Sequence, residues 1–175
     1  MDALKRDLPN FPDEVLTDWL LPYAKSEGWP PLEDEDGMPM KRWRYLLGMR
    51  PLRFYRSLSW TLENRSLVPD TLAHGEVGKI NGLFRAGLLG EQNEYSAISN
   101  SRERLTSILQ YTLAHGRLPK APALIQEASG LRIMDGNHRI AVYVYLTGFG
   151  GHFTPQYPLE PRQDFWIATP AATGS

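Results

Sequence analysis

The chain has 175 residues, 42% of them hydrophobic, which suits one globular domain with a sizeable core. Its 19 basic and 20 acidic residues give a formal net charge of -1, so nucleic-acid binding would require a local basic patch. The absence of cysteine excludes disulfides, thiolate metal sites and cysteine nucleophiles.

The amino-terminal residues carry no recognisable targeting signal. Residues 1–9 lack the long apolar run of a signal peptide, and the sequence nowhere contains the ~20 consecutive apolar residues of a membrane span. We expect a cytoplasmic protein that does not interact with membranes. Secretion without a cleaved signal is the alternative.

The first predicted helix covers residues 10–25. Asn10 can cap it, and the apolar residues recur at helical spacing. They are Val15, Leu16, Trp19, Leu20 and Tyr23. The proline-rich, acidic residues 30–40 then predict an exposed loop, with a metal site among the acids as the alternative.

Residues 41–64 fit either a strand or a helix. One apolar set alternates as in a strand: Leu52, Phe54, Leu58, Trp60 and Leu62. Another set suits a helical face: Leu52, Tyr55, Leu58, Ser59 and Leu62. We favour the helix, because Pro51 suits a helix start and Asn64 a helix end. Residues 1–64 therefore predict a mainly helical N-terminal extension.

The same stretch carries the most nucleic-acid-like pattern of the chain. Its arginines are Arg42, Arg44, Arg50, Arg53 and Arg56, and they alternate with Trp43, Tyr45, Phe54 and Tyr55. Cationic and aromatic side chains together are typical of single-strand binding. The alternative is an amphipathic element whose arginines face water or pair with the acidic loop.

Residues 65–98 contain many helix breakers and predict short elements joined by loops. The breakers are Pro69, Gly75, Gly78, Gly82, Gly87 and Gly90. No repeat or linker is visible, so residues 1–175 predict a single domain.

The clearest local signals begin at Ser101, which is placed to cap a helix that Gly116 would close. The elements expected after it are a strand, a second strand, a helix and a last strand. They cover residues 123–125, 131–134, 137–148 and 165–168.

This order of elements surrounds the run Leu131-Arg132-Ile133-Met134-Asp135-Gly136-Asn137-His138-Arg139, and together they resemble the ParB/sulfiredoxin superfamily over about residues 101–150. Members share a helix that ends in glycine, a proline-containing approach to a strand, a hairpin and a Gly-x-x-Arg turn into a helix. The resemblance implies an α+β fold, in which a small sheet is flanked by helices. Here the core of that type would cover residues 95–170, behind an N-terminal helical extension.

Members of the superfamily hold nucleotide phosphates at this turn. Partition proteins of the ParB type bind and hydrolyse CTP, and sulfiredoxins use ATP to repair oxidised peroxiredoxin. A free-serine kinase of this fold has Asp-Gly-His-His-Arg, and DNA-modification-associated proteins carry Asp-Gly-Gln-His-Arg. The resemblance implies that this chain binds a nucleotide, ATP or another NTP or NDP, with Mg²⁺ as a possible companion.

Two departures narrow that implication. Sulfiredoxin places its catalytic cysteine immediately before His-Arg, and here that position is Asn137, so the reductase chemistry is excluded. The residues that follow Gly150 are too few for the helix-turn-helix region of a partition protein. We expect a stand-alone nucleotide-binding or phosphotransfer domain, or a diverged effector on the same scaffold.

The chemistry of the turn itself favours an anion. A helix that begins near Asn137 leaves its first N–H groups unpaired at the positive end of the helix dipole. Gly136 permits the sharp turn, Arg139 supplies a guanidinium fork for phosphate oxygens, and Asn137 can donate from its amide. His138 can donate to phosphate or shuttle a proton, and Asp135 can orient it or help to hold Mg²⁺. A plain tight turn is the alternative.

A catalytic base is harder to identify. The candidate carboxylates are Glu76, Glu91, Glu94 and Glu103. We choose Glu94, just before the matching region, to act with His138 and Asp135. Arg102 and Arg104 open the helix at 101, where they face either an anionic ligand or solvent. No serine or threonine shows a hydrolase triad at readable spacing.

These observations favour a nucleotide-phosphate-binding protein, either an NTPase or a phosphotransferase of the small-molecule-kinase kind. Its phosphate acceptor would be an unidentified small molecule or protein. A nuclease or another DNA-acting protein is one alternative. A secreted toxin-like effector is another, and exposed Trp29, Trp43 and Trp60 would support it through protein contacts.

Overall fold

The structure is a computed structural model that describes residues 1–171. Its α-helices are α1 (Asp2–Asp7), α2 (Asp13–Val15), α3 (Leu21–Glu27), α4 (Lys41–Leu46), α5 (Leu52–Arg56), α6 (Glu76–Phe84), α7 (Ser101–His115) and α8 (Asn137–Thr147). The strands are β1 (Leu58–Arg65), β2 (Ala123–Glu127), β3 (Gly130–Asp135) and β4 (Gln163–Pro170). The π-helical segments are Leu16–Leu20 and Arg85–Leu89, and the 3-10 turns are Pro69–Thr71 and Phe149–Gly151.

The strands form one four-stranded sheet in the order β1-β4-β2-β3, and the α+β class is confirmed. The chain divides into two compact units. Unit 1 comprises residues 1–61 with the end of β4 from Ala168, and unit 2 comprises residues 62–167. No helix within the described part of the chain is long and apolar enough to cross a bilayer.

The first predicted helix is present, but it starts later than expected. It runs from α2 through a π-helical segment into α3 and ends at Gly28, whose φ of 83° is left-handed. Pro12, rather than Asn10, is the N-cap. The Asn10 amide instead donates to the carbonyls of Tyr55 and Leu58, at 2.9 and 2.7 Å. It therefore ties the helix entry to the segment that leads into β1.

The helix favoured over residues 41–64 is right only in part. Pro51 does start a helix, α5, but the chain then continues as strand β1. Strand β1 pairs with β4 in the sheet, and this pairing satisfies its backbone although Leu62 of the alternating set is 48% exposed. Asn64 does not end a helix, and its amide donates to the Asp164 carboxylate at 2.8 Å.

The expectation of short elements over residues 65–98 is wrong for its second half, where α6 continues into a π-helical segment. Gly82 and Gly87 make room for neighbours, whereas Gly90 ends the helical stretch with a φ of 73°. A Cβ on Gly82 would lie 2.5 Å from the Tyr95 ring, and one on Gly87 would lie 2.4 Å from the Leu105 side chain. Close packing thus outweighs the low helix propensity of glycine.

The elements predicted after residue 100 are confirmed. Helix α7 begins at Ser101 and ends at Gly116, which has a φ of 68°. Strands β2 and β3 form an antiparallel hairpin, and β4 extends beyond the predicted residues 165–168 at both ends. Helix α8 is buried along most of its length and packs against α6 and α7. This packing brings the N-terminus of α8 beside that of α7.

Candidate functional site

The candidate site is built on the turn between β3 and α8. Gly136 is the N-cap of α8 and has a φ of 91°. Residues with a Cβ atom rarely adopt this left-handed backbone conformation. A Cβ here would lie 2.8 Å from the Pro122 side chain and 3.1 Å from Nε of Arg139. Glycine is therefore required both for the backbone conformation and for the close approach of two neighbours.

Arg139 lies under this turn, with 9% of its surface exposed. Its guanidinium donates to the Asp135 carboxylate and, at 3.3 Å, to the carbonyl of Ala121. These bonds join the end of β3, the approach to β2 and the first turn of α8. The guanidinium that was expected to bind phosphate is thus already hydrogen-bonded to Asp135 and Ala121, so Arg139 acts mainly to stabilise the conformation of the turn.

His138 contacts the start of the neighbouring helix α7. Its Nε2 atom lies 3.3 Å from Oγ of Ser101, which is within hydrogen-bond reach. Burial, reinforced by the charges of Arg104 and Arg139, lowers the pKa of His138 from 6.5 to about 4. The imidazole is therefore neutral at neutral pH, and it can accept a proton.

Neither of the two adjoining helix N-termini is capped by a side chain. The N-cap residues are Asn100 for α7 and Gly136 for α8. Oδ1 of Asn137 is buried and has no hydrogen-bond partner among the described residues. The amide of Asn137 can turn to present its oxygen or its nitrogen, so it can serve an acceptor or a donor on a ligand.

The two arginines at the start of α7 differ in their availability. Arg102 donates to the carbonyls of Gly87 and Leu88, at 3.2 and 3.5 Å. Arg104 is exposed, and within residues 1–171 its side chain forms no ion pair or hydrogen bond. Its charge nevertheless reaches His138, whose pKa it lowers. Arg104 is therefore the cation at this site that a ligand can engage.

A cleft of about 250 Å³ adjoins the start of α7. Its walls come from the π-helical segment, the following loop and the first residues of α7. The lining residues are Ala86, Gly87, Gly90, Tyr95, Ser96, Ile98, Asn100, Ser101, Arg102 and Glu103. The cleft has room for a small acceptor or part of a larger ligand beside Ser101.

The structure places Glu94 in the loop beside this cleft, exposed to solvent. Burial raises the pKa of Tyr95, and a hydrogen bond with Glu94 raises it further. Within the described residues no hydrogen bond or ion pair joins Glu94 to the turn at 135–139. The base chosen from the sequence is therefore not assembled with His138 and Asp135.

The other candidate bases from the sequence, Glu76, Glu91 and Glu103, lie elsewhere in unit 2. Glu76 is buried, with Nζ of Lys79 at 3.3 Å and a guanidinium nitrogen of Arg132 at 4.0 Å. Glu91 pairs with Arg85, and Glu103 is an exposed residue of the cleft wall. Within residues 1–171, none of the three forms a hydrogen bond or an ion pair with the turn.

Asp135 is the residue of the turn that the sequence suggests as a Mg²⁺ ligand, and its carboxylate is paired with Arg139. In the described part of the chain, no group of three or more His, Cys, Asp or Glu side chains is placed to hold a metal ion.

Ser101 is the residue of this site that sequence reasoning missed as a functional group. It was expected to cap α7, but Asn100 holds that place, and the Ser101 side chain turns to His138. The two residues are 37 positions apart, and no spacing signal links them. Only the packing of α7 against α8 brings them together.

The arginine–aromatic stretch of unit 1 is largely engaged by the protein. Arg42 pairs with Glu27 at 2.9 Å, and Arg44 pairs with Asp34 of the acidic loop. Arg56 donates to a backbone carbonyl at 3.1 Å, and Arg50 lies over the ring of Phe54. This is the arrangement expected of an amphipathic element rather than of a basic surface.

The three tryptophans that would favour a protein-contact surface are not exposed. Trp43 is buried and donates to the carbonyl of Gly28 at 3.0 Å. Trp29 is half-buried and donates to the Asp7 carboxylate at 3.0 Å. Trp60 is half-buried as well, against Phe11. They support unit 1 internally.

Comparison with known proteins does not assign the chain to a family. No protein-family model, no curated protein and no solved structure matches it. The resemblance to the ParB/sulfiredoxin superfamily therefore rests on the motif at residues 135–139 and on the order of elements around it. Function has to be argued from the geometry of the site.

Proposed function

We propose that the protein binds a nucleotide through its phosphates at the turn of residues 135–139 and acts as an NTPase or a phosphotransferase on a ParB/sulfiredoxin-like scaffold. One observation carries this proposal. The uncapped N-termini of α7 and α8 meet at the contact of Ser101 with His138, and the charge of unpaired Arg104 reaches the same place. Two helix dipoles and a free guanidinium favour a multiply charged anion there.

The proposed roles follow from how each side chain is held. The first backbone N–H groups of α8 and the amide of Asn137 would donate to phosphate oxygens. Arg104 would supply the mobile positive charge. Arg139, buried and bonded to Asp135, would position the turn and add its charge at a short distance.

The reaction would take place between this turn and the neighbouring cleft. A neutral His138 can accept a proton from an attacking hydroxyl group or water. The cleft beside α7 would hold the acceptor, or the nucleoside if water is the acceptor. Glu94, in the loop beside the cleft, is kept as a candidate base for an acceptor bound there.

Titration calorimetry with ATP, CTP, GTP and ADP, each with and without Mg²⁺, tests this proposal. We expect Arg104→Ala to weaken binding about 10- to 100-fold, the cost of one charge-assisted hydrogen bond. Arg117→Ala is the matched control, because Arg117 is exposed just beyond the other end of α7. It should bind as the wild type does, and the absence of heat with every nucleotide would refute the proposal.

A further inference from the structure

We propose that Ser101 is a nucleophile activated by His138, and that it takes the terminal phosphoryl group of a bound nucleoside triphosphate. The inference rests on the nucleotide binding proposed above and names the group that reacts. It assigns Ser101 a covalent role and makes His138 its base.

The first support is the pairing of nucleophile and base. Oγ of Ser101 and Nε2 of His138 are 3.3 Å apart, a distance that commonly tightens when a ligand arrives. Ser101 is the first residue of α7 and is only 7% exposed, so its hydroxyl group is largely shielded from bulk water. The N-cap of α7 is Asn100, and the Ser101 side chain faces His138.

The second support is the space around the hydroxyl group. Ser101 lies on the wall of the 250 Å³ cleft, next to Gly87. A Cβ on Gly87 would lie 3.0 Å from Oγ of Ser101 and would crowd it. Arg102 donates to the carbonyl of Gly87 at 3.2 Å and fixes this wall. Ser101 thus borders an open volume that can admit a reacting group.

The third support is charge, and it favours a phosphoryl group over an acyl group. A phosphoserine carries a charge of about −1.5 to −2, whereas an acyl-serine carries none. Oγ lies between two helix N-termini, within the reach of Arg104 and Arg139, and this surrounding positive potential stabilises the dianion. Burial, and after it the same charges, keep His138 unprotonated before the ligand binds. An incoming phosphate offsets them, so the imidazole becomes a stronger base as the complex forms.

The step balances without another reactant. Oγ of Ser101 attacks the terminal phosphorus, and the Oγ–P bond forms. The bond from that phosphorus to the bridging oxygen breaks, and the nucleoside diphosphate leaves with the electron pair. The hydroxyl proton passes to Nε2 of His138. Water or a second hydroxyl acceptor in the cleft then attacks the phosphorus, and its O–P bond forms as the Oγ–P bond breaks. The serine oxygen takes back the proton from Nε2 of His138, and the proton of the acceptor leaves to solvent.

The test is mass spectrometry of the full chain after incubation with ATP or CTP and Mg²⁺ and a rapid acid quench. We expect one added phosphoryl group, located on Ser101 by peptide fragmentation of the wild-type protein. Ser101→Ala should add none, and His138→Gln should slow the addition by about 100-fold or more. Ser107→Ala is the matched control, an exposed serine on the same helix, and it should react as the wild type does.

Calorimetry on the same samples separates the two proposals. Nucleotide binding with no phosphate on Ser101, or with phosphate on another residue, overturns the role of Ser101 and leaves nucleotide binding intact. A chain that binds no nucleotide overturns both. Because the site is mapped on the wild-type protein, the result does not depend on whether the variants fold.

Discussion

The guanidinium of Arg139 and the carboxylate of Asp135 form an ion pair across the turn between β3 and α8. The Arg139 side chain is 11% exposed and that of Asp135 is 27% exposed, so the pair lies largely out of water. The arginine also holds the carbonyl of Ala121. The pair therefore belongs to the framework of the site, and its loss should be felt in stability before it is felt in ligand contacts.

Arg139→Ala should lower the free energy of unfolding by about 3 kcal/mol, because it strands a partly buried carboxylate. Urea unfolding followed by circular dichroism measures the change. The exposed Arg117→Ala variant serves as the control and should change stability by less than about 0.5 kcal/mol. Equal midpoints for the two variants would show that the ion pair does not hold the turn.

Gly136→Ala and Gly116→Ala form a matched pair. Both glycines have a left-handed φ, but a Cβ on Gly116 meets nothing within 4 Å, whereas one on Gly136 meets Pro122 at 2.8 Å. We expect a loss of about 1 kcal/mol at Gly116 from backbone strain, and about 2–4 kcal/mol at Gly136 from strain plus overpacking. Thermal and urea unfolding measure both, and a Gly136 loss no larger than that at Gly116 would contradict the packing described for the turn.

Gly87→Ala and Gly78→Ala test why glycines are tolerated in the helical stretch that includes α6. A Cβ on Gly87 would meet Leu105 at 2.4 Å, so this variant should lose about 1–3 kcal/mol. Gly78 has open space around it, and alanine there should stabilise the helix by about 0.5–1 kcal/mol. Denaturation midpoints that move in the same direction would argue against this account.

The lowered pKa of His138 predicts a pH dependence of stability. Between pH 6.5 and about 4 the unfolded chain binds a proton that the folded chain does not, so this contribution to stability is complete above pH 6.5 and falls as the pH drops to about 4. The main cause of the lowered pKa is burial of the imidazole, and the charges of Arg104 and Arg139 add to it. Urea unfolding at pH 7 and at pH 4.5 should show a smaller difference in His138→Gln than in the wild type. An NMR titration that places the His138 pKa near 6.5 would refute the prediction.

The elements whose signals are local were predictable from the sequence. Helix α7 was predicted from its apolar face and from Gly116, which ends it. The glycine turn at Gly136 likewise indicated a strand followed by a helix. Both depend on residues within a few positions of one another. The α+β class followed from these elements.

The predictions that were wrong or incomplete concern residues whose partners are distant in the sequence. Residues 58–65 form strand β1 and not a helix because β4, about a hundred residues later, pairs with them. Gly82 and Gly87 look like breakers until Tyr95 and Leu105 are seen against them. The engagement of Arg139 with Ala121 and the contact of Ser101 with His138 likewise require the packed unit.

The meeting of two helix N-termini at Ser101 and His138 has an energetic consequence for the folded chain. Partial positive charges of like sign are held together there with Arg104 and Arg139, and a neutral imidazole is kept between them. This is local frustration, a conflict that folding alone leaves unresolved. A bound anion would relieve this repulsion. Folding of unit 2 therefore leaves an unfavourable electrostatic free energy at the site, and binding of an anion would remove part of it. The effect should become smaller as salt screens the charges.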